Sequence, residues 1–269
     1  MDASYLHFFH LKEYPWGLAS DPRYFWCSHS VSRDLERLRR GMEFRAGCLL
    51  VTGVPGVGKT MVCRALEAGL REDAVRHRVV WLLPSQGLTP RAVLVQVATA
   101  LGIKPIPRDR TALVQAIFAG LSALHAQGEG FTLVADEAQL LPREALLELK
   151  LLTNLEAPDK LANVILAGQP SLLRRLRRPG LASLASRVAV KVQLGELGPE
   201  EVASYLRHRV QAAGLNEMPF SREAVVVLSK TSGGNPRWLN LLADLAMAEA
   251  ARRRERVITG DAAAKAVVP

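Results

Sequence analysis

Short runs of consecutive apolar residues alternate with longer amphipathic segments through the middle of the chain. Such runs are typical of strands that are buried on both faces of a sheet. They lie at Gly47–Thr52, Arg78–Leu83, Phe131–Ala135, Asn163–Ala167 and Arg187–Val192. The segments between them repeat their apolar positions at helical spacing. This alternation predicts an α/β fold in which helices cover both faces of a parallel sheet.

The pattern changes on both sides of this central region. Residues 1–45 contain an aromatic, proline-punctuated segment and then an amphipathic helix that follows Ser32, and we expect both to pack on the core. Beyond residue 197 the sequence shows three helical patterns and no strand, at Pro199–Ala213, Ser221–Lys230 and Pro236–Arg254. We therefore predict an N-terminal region of residues 1–45, a core of residues 46–196 and a small helical lid of residues 197–269.

Composition narrows the class of protein. The chain has 269 residues, of which 49% are hydrophobic, and this is enough for a full α/β core. No apolar run approaches the roughly 18 to 20 residues that cross a bilayer, and the first residues lack the layout of a signal peptide. The cysteines Cys27, Cys48 and Cys63 have no metal-ligand spacing. We therefore expect a soluble cytoplasmic protein with reduced, buried thiols.

The chain is strongly basic, with a net charge of +9 from 27 arginines and 8 lysines against 26 acidic residues. Such a charge permits a polyanionic partner, either nucleic acid or anionic lipid. An arginine excess can equally reflect genomic composition, and the basic residues are spread over several helices instead of one tail. Charge alone leaves both interpretations open.

The stretch Gly53–Thr60, GVPGVGKT, fits the phosphate-binding pattern G-x-x-x-x-G-K-[ST] in full. Its glycines let backbone N–H groups turn toward phosphate oxygens, and the helix that follows presents its positive end. We expect Lys59 to reach the β- and γ-phosphates and the Thr60 hydroxyl to complete a Mg²⁺ shell. The candidate nucleotide-binding residues here are Gly53, Pro55, Gly56, Val57, Gly58, Lys59, Thr60 and Met61. A glycine turn that binds nothing is the alternative, but the apolar strand and the helix on its two sides argue against it.

Two carboxylates, Asp136 and Glu137, follow the apolar run Phe131–Ala135. They come at the carboxyl end of a strand, where open α/β sheets bind ligands. Asp136 is expected to hold Mg²⁺, directly or through its water shell, and Glu137 to polarise a water for attack on the γ-phosphate. The alternative is a capping Asp-Glu pair in a loop, which the upstream phosphate loop makes less probable.

Two further positions are candidates for sensing or completing a nucleotide site. Gln169 could hydrogen-bond to the γ-phosphate or to the attacking water, or Gln169-Pro170 could merely start a helix. Arg187 precedes the last strand and would suit an arginine finger that reaches a neighbouring subunit's nucleotide. Its rivals for that role are Arg174, Arg175, Arg177 and Arg178.

The segment Gly233–Arg237 opens the last long helix. Pro236 suits the first turn of a helix, and Arg237 would lie near the nucleotide if the lid folds back over it. An arginine there would couple the nucleotide state to the lid. An ordinary exposed arginine at a helix start is the alternative.

Together these residues resemble the AAA+ ATPases of ExeA/GspA type and their relatives in transposition, the TnsC and TniB type regulators. The resemblance covers nearly the whole chain and rests on seven ordered segments: Phe8–Trp16, Asp21–Phe25, Gly53–Thr60, Ala135–Gln139, Leu151–Glu156, Ala167–Pro170 and Gly233–Arg237. It implies an ASCE-type P-loop sheet with a helical lid, ATP as the nucleotide, and a ring or filament in which one subunit's arginine completes another's site. By that analogy Pro15 and Trp16 lie near the adenine. Trp16 stands where the family usually has Phe.

The function expected from the sequence is that of a Mg²⁺-dependent ATPase that acts as a nucleotide-controlled assembly switch. Two client processes remain open, namely DNA transposition with duplex DNA and a transposase as partners, and secretion or pilus assembly at the envelope. The absence of a membrane span from this sequence and its basic charge favour the first, and the N-terminal segment favours the second. A scaffold that binds ATP to form oligomers and hydrolyses it only on partner contact is the alternative class.

Overall fold

The computed structural model describes residues 4–17, 20–72, 76–83 and 88–267. Five strands form one parallel sheet in the order β2-β3-β4-β1-β5. Their bounds are β1 Cys48–Thr52, β2 His77–Trp81, β3 Gly130–Ala135, β4 Asn163–Gly168 and β5 Val188–Gln193. The central strands β1 and β4 are buried at every position, whereas the edge strand β5 has exposed residues at every second position. This difference explains why the central strands read as continuous apolar runs.

Helices occupy most of the remaining described chain. Before the last strand they are α1 Ser4–Phe9, α2 His29–Glu43, α3 Lys59–Glu72, α4 Pro90–Ala100, α5 Arg110–Ala126, α6 Arg143–Leu152, α7 Pro170–Leu176 and α8 Ala182–Ala185. After it come α9 Pro199–Ala212, α10 Arg222–Ser232, α11 Pro236–Arg252 and α12 Gly260–Val267. Short 3-10 turns lie at Pro22–Tyr24 and Ala138–Leu140. None of the helices among the described residues is long and apolar enough to cross a membrane.

The chain divides into two compact units. The sheet unit comprises His29–Val54 and Val62–Leu194, and the helical unit comprises Met1–Ser28, Pro55–Met61 and Gly195–Pro269. Helices α4 and α5 contribute to the core of the sheet unit, where Leu94, Leu113 and Ile117 are fully buried. The expected α/β fold with a parallel sheet and a helical lid is thus confirmed.

The aromatic N-terminal segment lies in a different part of the molecule from the one that the sequence suggested. Tyr5, Phe9 and Trp16 belong to the apolar core of the helical unit, together with residues of α9 to α12. Of the first 45 residues, only those from His29 onward, which include helix α2, belong to the sheet unit. The apolar pattern indicated that these aromatics would be buried, but it carries no information on which core buries them.

Two smaller expectations also need correction. Helix α2 begins at His29, ahead of Ser32. Cys27 is exposed, whereas Cys48 and Cys63 are buried as expected. Burial raises the pKa of the Cys48 thiol to about 12, so this thiol is protonated and unreactive at neutral pH.

Candidate nucleotide site

Residues that follow three neighbouring strands meet at one edge of the sheet unit. Thr52 at the end of β1 pairs with Gly168 at the end of β4, and Ala135 at the end of β3 pairs with Leu166. The Gly53 N–H donates to the carbonyl oxygen of Gly168 at 3.3 Å. Because the strands are parallel, their carboxyl ends present Gly53, Asp136 and Gln169 along the same edge.

Glu137 is held in a defined position at this edge. Its backbone is left-handed, with φ of +49°, and its N–H donates to Oδ1 of Asp136 at 2.8 Å. Nε2 of Gln139 donates to Oε2 of Glu137 at 2.5 Å. A non-glycine residue rarely adopts such a φ, so the local structure specifies where this carboxylate lies.

Gln139 connects Glu137 to the end of β4, a link that sequence reasoning missed. Its Oε1 accepts a hydrogen bond from the Gln169 N–H at 3.0 Å. Its main-chain oxygen accepts one from Nη1 of Arg175, on α7, at 2.8 Å. The structure thus brings Glu137 and Gln169 together through Gln139. The sequence drew attention to Gln139 only as part of the motif Ala135–Gln139. Nothing in that motif indicates that its partner is Gln169, which lies 30 residues away.

The phosphate loop lies in the helical unit from Pro55 onward. Gly56 and Gly58 have φ of +87° and +98°, a region that other residues rarely adopt. A Cβ on Gly56 would lie 2.5 Å from Oδ1 of Asn235 and 2.8 Å from Cβ of Arg237. Only glycine therefore fits where the loop meets the start of α11.

Asn235 holds this loop at the start of α11, which is called the lid helix below. Its Nδ2 donates to the carbonyl oxygen of Pro55 at 2.9 Å, and its Oδ1 accepts from the Arg237 N–H at 3.1 Å, which caps α11. Sequence reasoning identified Pro236 and Arg237 at this helix start but not Asn235. The Asn-Pro pair is a recognisable helix-start signal, but the bond to a residue 180 positions away is not readable from it.

The other loop residues occupy the start of α3, which begins at Lys59. Lys59 is buried, with 5% of its surface exposed, and Val57 is 8% exposed. Thr60 and Met61 lie in the first turn and are half-buried. A buried lysine beside glycines of positive φ at a helix N-terminus fits the binding of phosphate.

Trp16 and Pro15 are both buried within the helical unit. The Trp16 Nε1–H lies 3.2 Å from Sδ of Met247, and the indole packs edge to face against Phe220. The carbonyl oxygen of Pro15 accepts a hydrogen bond from Nε of Arg209 at 2.7 Å. Contact of these residues with an adenine stays a prediction.

Arg187 lies away from the edge that carries Glu137. It directly precedes β5, at the amino end of a parallel strand of 6 residues, so it is about 20 Å along the strand from the carboxyl edge. Its side chain is exposed. Among its rivals, Arg175 is bonded to Gln139, whereas Arg174, Arg177 and Arg178 are exposed.

The basic residues are distributed unevenly in the sheet unit. Residues 170–187 contain 5 arginines and no acidic residue. In contrast, three of the four arginines of α2 are paired, because Arg37, Arg39 and Arg40 form ion pairs with Asp34, Glu43 and Glu36 of the same helix. An open groove of about 660 Å³ lies beside α2, and its lining includes these three arginines together with Arg33 and Glu36.

The sheet order, the loop between β1 and α3, and the acidic pair after β3 define a P-loop NTPase fold. A family model described as "AAA domain" matches residues 40–176. The chain therefore belongs to the AAA domain family.

Two curated proteins are similar in sequence. General secretion pathway protein A of Aeromonas hydrophila is 35% identical over 263 residues, which cover 96% of this chain and 47% of that protein. The Mu-like prophage FluMu DNA transposition protein B of Haemophilus influenzae is 29% identical over 198 residues, 70% of this chain and 62% of that protein. The chain thus spans about half of the first relative and less than two thirds of the second. The predicted resemblance to proteins of secretion and transposition is confirmed.

Solved structures support the fold. The Aeropyrum pernix ORC2 protein, in ADPNP-ADP complexes, has a TM-score of 0.67 and 18% identity, and the match covers 89% of this chain and 67% of that one. Drosophila ORC bound to DNA has a TM-score of 0.68 and 16% identity, covering 99% and 66%. At these identities the likeness shows the fold alone.

Proposed function

We propose that this protein binds ATP with Mg²⁺ and hydrolyses it, and that the nucleotide state controls its assembly. The observation that carries the proposal is the complete phosphate loop, with the buried Lys59 at the start of α3. Glu137, held in one position after β3, supplies the second requirement, which is a carboxylate for activating water.

In this proposal each residue has a separate task. The backbone N–H groups of Gly56 to Thr60 bind phosphate oxygens, and Lys59 neutralises their charge. Thr60 and Asp136 hold Mg²⁺, which neutralises charge on the phosphates when it is bound. Glu137 orients a water and accepts its proton, and Gln169, which is linked to Glu137 through Gln139, is a candidate γ-phosphate sensor.

The test is a comparison of two variants with the native protein. Lys59→Ala is expected to lose ATP binding and hydrolysis, because the phosphate charge is no longer neutralised. Glu137→Gln is expected to keep the native affinity for ATP but to lose at least about 100-fold in kcat. Phosphate release with and without EDTA, together with binding of a fluorescent ATP analogue, measures both effects. Normal turnover in either variant would contradict the proposal.

The assembly part of the proposal rests on Arg187. From the amino end of β5 its side chain is remote from Glu137 of its own sheet, so it would act on the nucleotide of another chain. Arg187→Ala and Lys59→Ala should each be inactive alone. A mixture of the two should recover part of the activity, because one subunit type keeps an intact loop and the other an intact arginine. If the mixture stays inactive while it still forms oligomers, Arg187 is not the shared residue.

The same assays distinguish the proposed ATPase from the alternative, which is a scaffold that hydrolyses ATP only on contact with a partner. Oligomers that form with ATP, but without measurable basal turnover, would favour it. The presence of both Asp136 and Glu137 favours hydrolysis, because a site used only for binding has no need for a positioned base.

The names of the relatives suggest two clients, a secretion pathway and DNA transposition. The segment at residues 170–187, which is basic and contains no acidic residue, favours a polyanionic partner.

If the client is duplex DNA, binding of DNA by the ATP-bound form should weaken steeply with salt. Reversing Arg177 and Arg178 to Glu should abolish it, whereas reversing Arg39 and Arg40 on α2, which are paired with Glu43 and Glu36, should have less effect. Equal loss in both double variants would show that the response comes from net charge alone, and no binding at low salt would favour the secretion client.

A further inference from the structure

We propose that Gln139 is a positioning residue for hydrolysis, and that its side-chain amide fixes the direction of the Glu137 carboxylate. This inference rests on the proposed function. It assigns a task to a residue that lies two positions after the base.

The two ends of the Gln139 amide have different partners. The Nε2 group donates to Glu137, and the Oε1 atom accepts from the main-chain N–H of Gln169. The second partner belongs to the backbone at the end of β4 and cannot rotate away. The amide therefore connects the carboxylate of Glu137 to a fixed point of the sheet.

The backbone leaves a space for this amide only because residue 168 is glycine. A Cβ on Gly168 would lie 2.6 Å from Oε1 of Gln139 and 2.9 Å from Cδ2 of Leu172. These distances are shorter than ordinary contacts, so any larger residue would displace the amide.

The main chain of Gln139 is held as well. Arg175 donates to its carbonyl oxygen at 2.8 Å. Because this guanidinium is charged, the bond is stronger than one between neutral groups. Both the backbone and the side chain of Gln139 are thus anchored on elements that follow β4.

The chemical consequence concerns Glu137. Donation to its Oε2 restrains rotation about the last side-chain bond, so Oε1 keeps a fixed direction. A base must lie within hydrogen-bond reach of the proton that it takes. A misplacement of about 1 Å can cost on the order of 100-fold in rate, so loss of this restraint should lower kcat and leave nucleotide binding unchanged.

Two substitutions separate the two halves of the amide. Gln139→Glu keeps an oxygen for the Gln169 N–H but places a carboxylate against Glu137. Gln139→Leu removes the hydrogen bonds to both Glu137 and Gln169 and keeps a side chain of similar size. We expect kcat to fall at least 10-fold in both variants, with KM for ATP within 2-fold of native. Matched substitutions at the exposed Gln115 on α5 should change neither value.

A reversed pair tests the contact itself. The double variant Glu137→Gln, Gln139→Glu exchanges donor and acceptor, and it should recover the melting temperature lost in Gln139→Glu without recovering hydrolysis. In the Glu137→Gln background, Gln139→Leu should cause no further loss of residual rate, because the residue acts through Glu137.

The outcomes also separate this inference from the proposed function. If the native protein shows no hydrolysis that depends on Glu137, the proposed function fails. If the native protein turns over and Gln139→Glu keeps the native kcat, the amide does not position Glu137 and the inference is overturned. If Gln139→Leu is poorly folded, Gln139→Glu still decides, because it retains the anchoring bond.

Discussion

The two units hold their candidate site residues by different means. In the sheet unit, Asp136, Glu137 and Gln169 follow strands, and partners at the ends of β3 and β4 fix them. In the helical unit, the phosphate loop is held at Pro55 by Asn235, a side chain from the start of α11. The first arrangement follows from strand order, and the second depends on one side chain from a distant part of the sequence.

This difference indicates how each group of candidate site residues would respond to change. Residues at the end of a parallel sheet have their backbone fixed by neighbouring strands, so a substitution there alters side-chain directions. The loop depends on how α11 begins, and the turn before α11 depends in turn on Gly234. Substitutions at the start of α11 should therefore affect stability first, whereas those at the carboxyl ends of β3 and β4 should affect catalysis first.

The largest expected effect on stability is that of Gly234→Ala. Gly234 has φ of +75°, and a Cβ there would lie 2.1 Å from the carbonyl oxygen of Leu197, which is backbone and cannot move aside. We expect a loss of about 3 kcal/mol or more in the free energy of unfolding. Gly233→Ala is the matched control, because its φ is +59° but nothing lies within 4 Å of its Cβ position. It should lose about 1 kcal/mol, and equal losses in urea denaturation would refute the role of the collision.

A smaller effect on stability, but a larger one on turnover, is expected for Gly168→Ala. The added methyl meets the ends of two flexible side chains, so it should destabilise the fold by about 1 to 2 kcal/mol. The displaced Gln139 should lower kcat several-fold. As a control, Gly69→Ala in α3 meets nothing within 4 Å and should stabilise the protein by about 0.5 to 1 kcal/mol. If Gly168→Ala keeps the native kcat, the end of β4 does not control the position of Glu137.

Much of the sheet could be predicted because strands buried on both faces give continuous apolar runs. The ends of these runs placed Asp136 and Gln169 next to strand ends, as the structure has them. The phosphate loop was readable because its function restricts the residue type at four positions within a stretch of eight.

The contacts that fix the site were not readable. The bond between Gln139 and Gln169 and the bond between Asn235 and Pro55 join residues 30 and 180 positions apart. The pattern of neighbouring residues in the sequence does not indicate contacts over such separations. Helix α12 was missed for a related reason, because its buried face consists of small residues, Ala262 and Ala263, which give little hydrophobic contrast.

The smallest expected effect on stability is that of Asn235, and it distinguishes a helix cap from an anchor for the phosphate loop. Asn235→Ala removes both roles, so we expect a loss of about 1 kcal/mol in stability and roughly 10-fold weaker ATP binding. Asn235→Ser keeps a capping oxygen but is too short to reach the carbonyl of Pro55.

Asn235→Ser should therefore retain native stability within about 0.5 kcal/mol and still bind ATP more weakly. Ser221→Ala provides the converse control, because Ser221 caps α10 through the Ala224 N–H and lies outside the loop. It should lose stability by about 1 kcal/mol without loss of affinity. Thermal melts and titration with a fluorescent ATP analogue measure the two quantities. If affinity follows stability across all three variants, Asn235 is only a cap, and the loop is held independently of the lid helix.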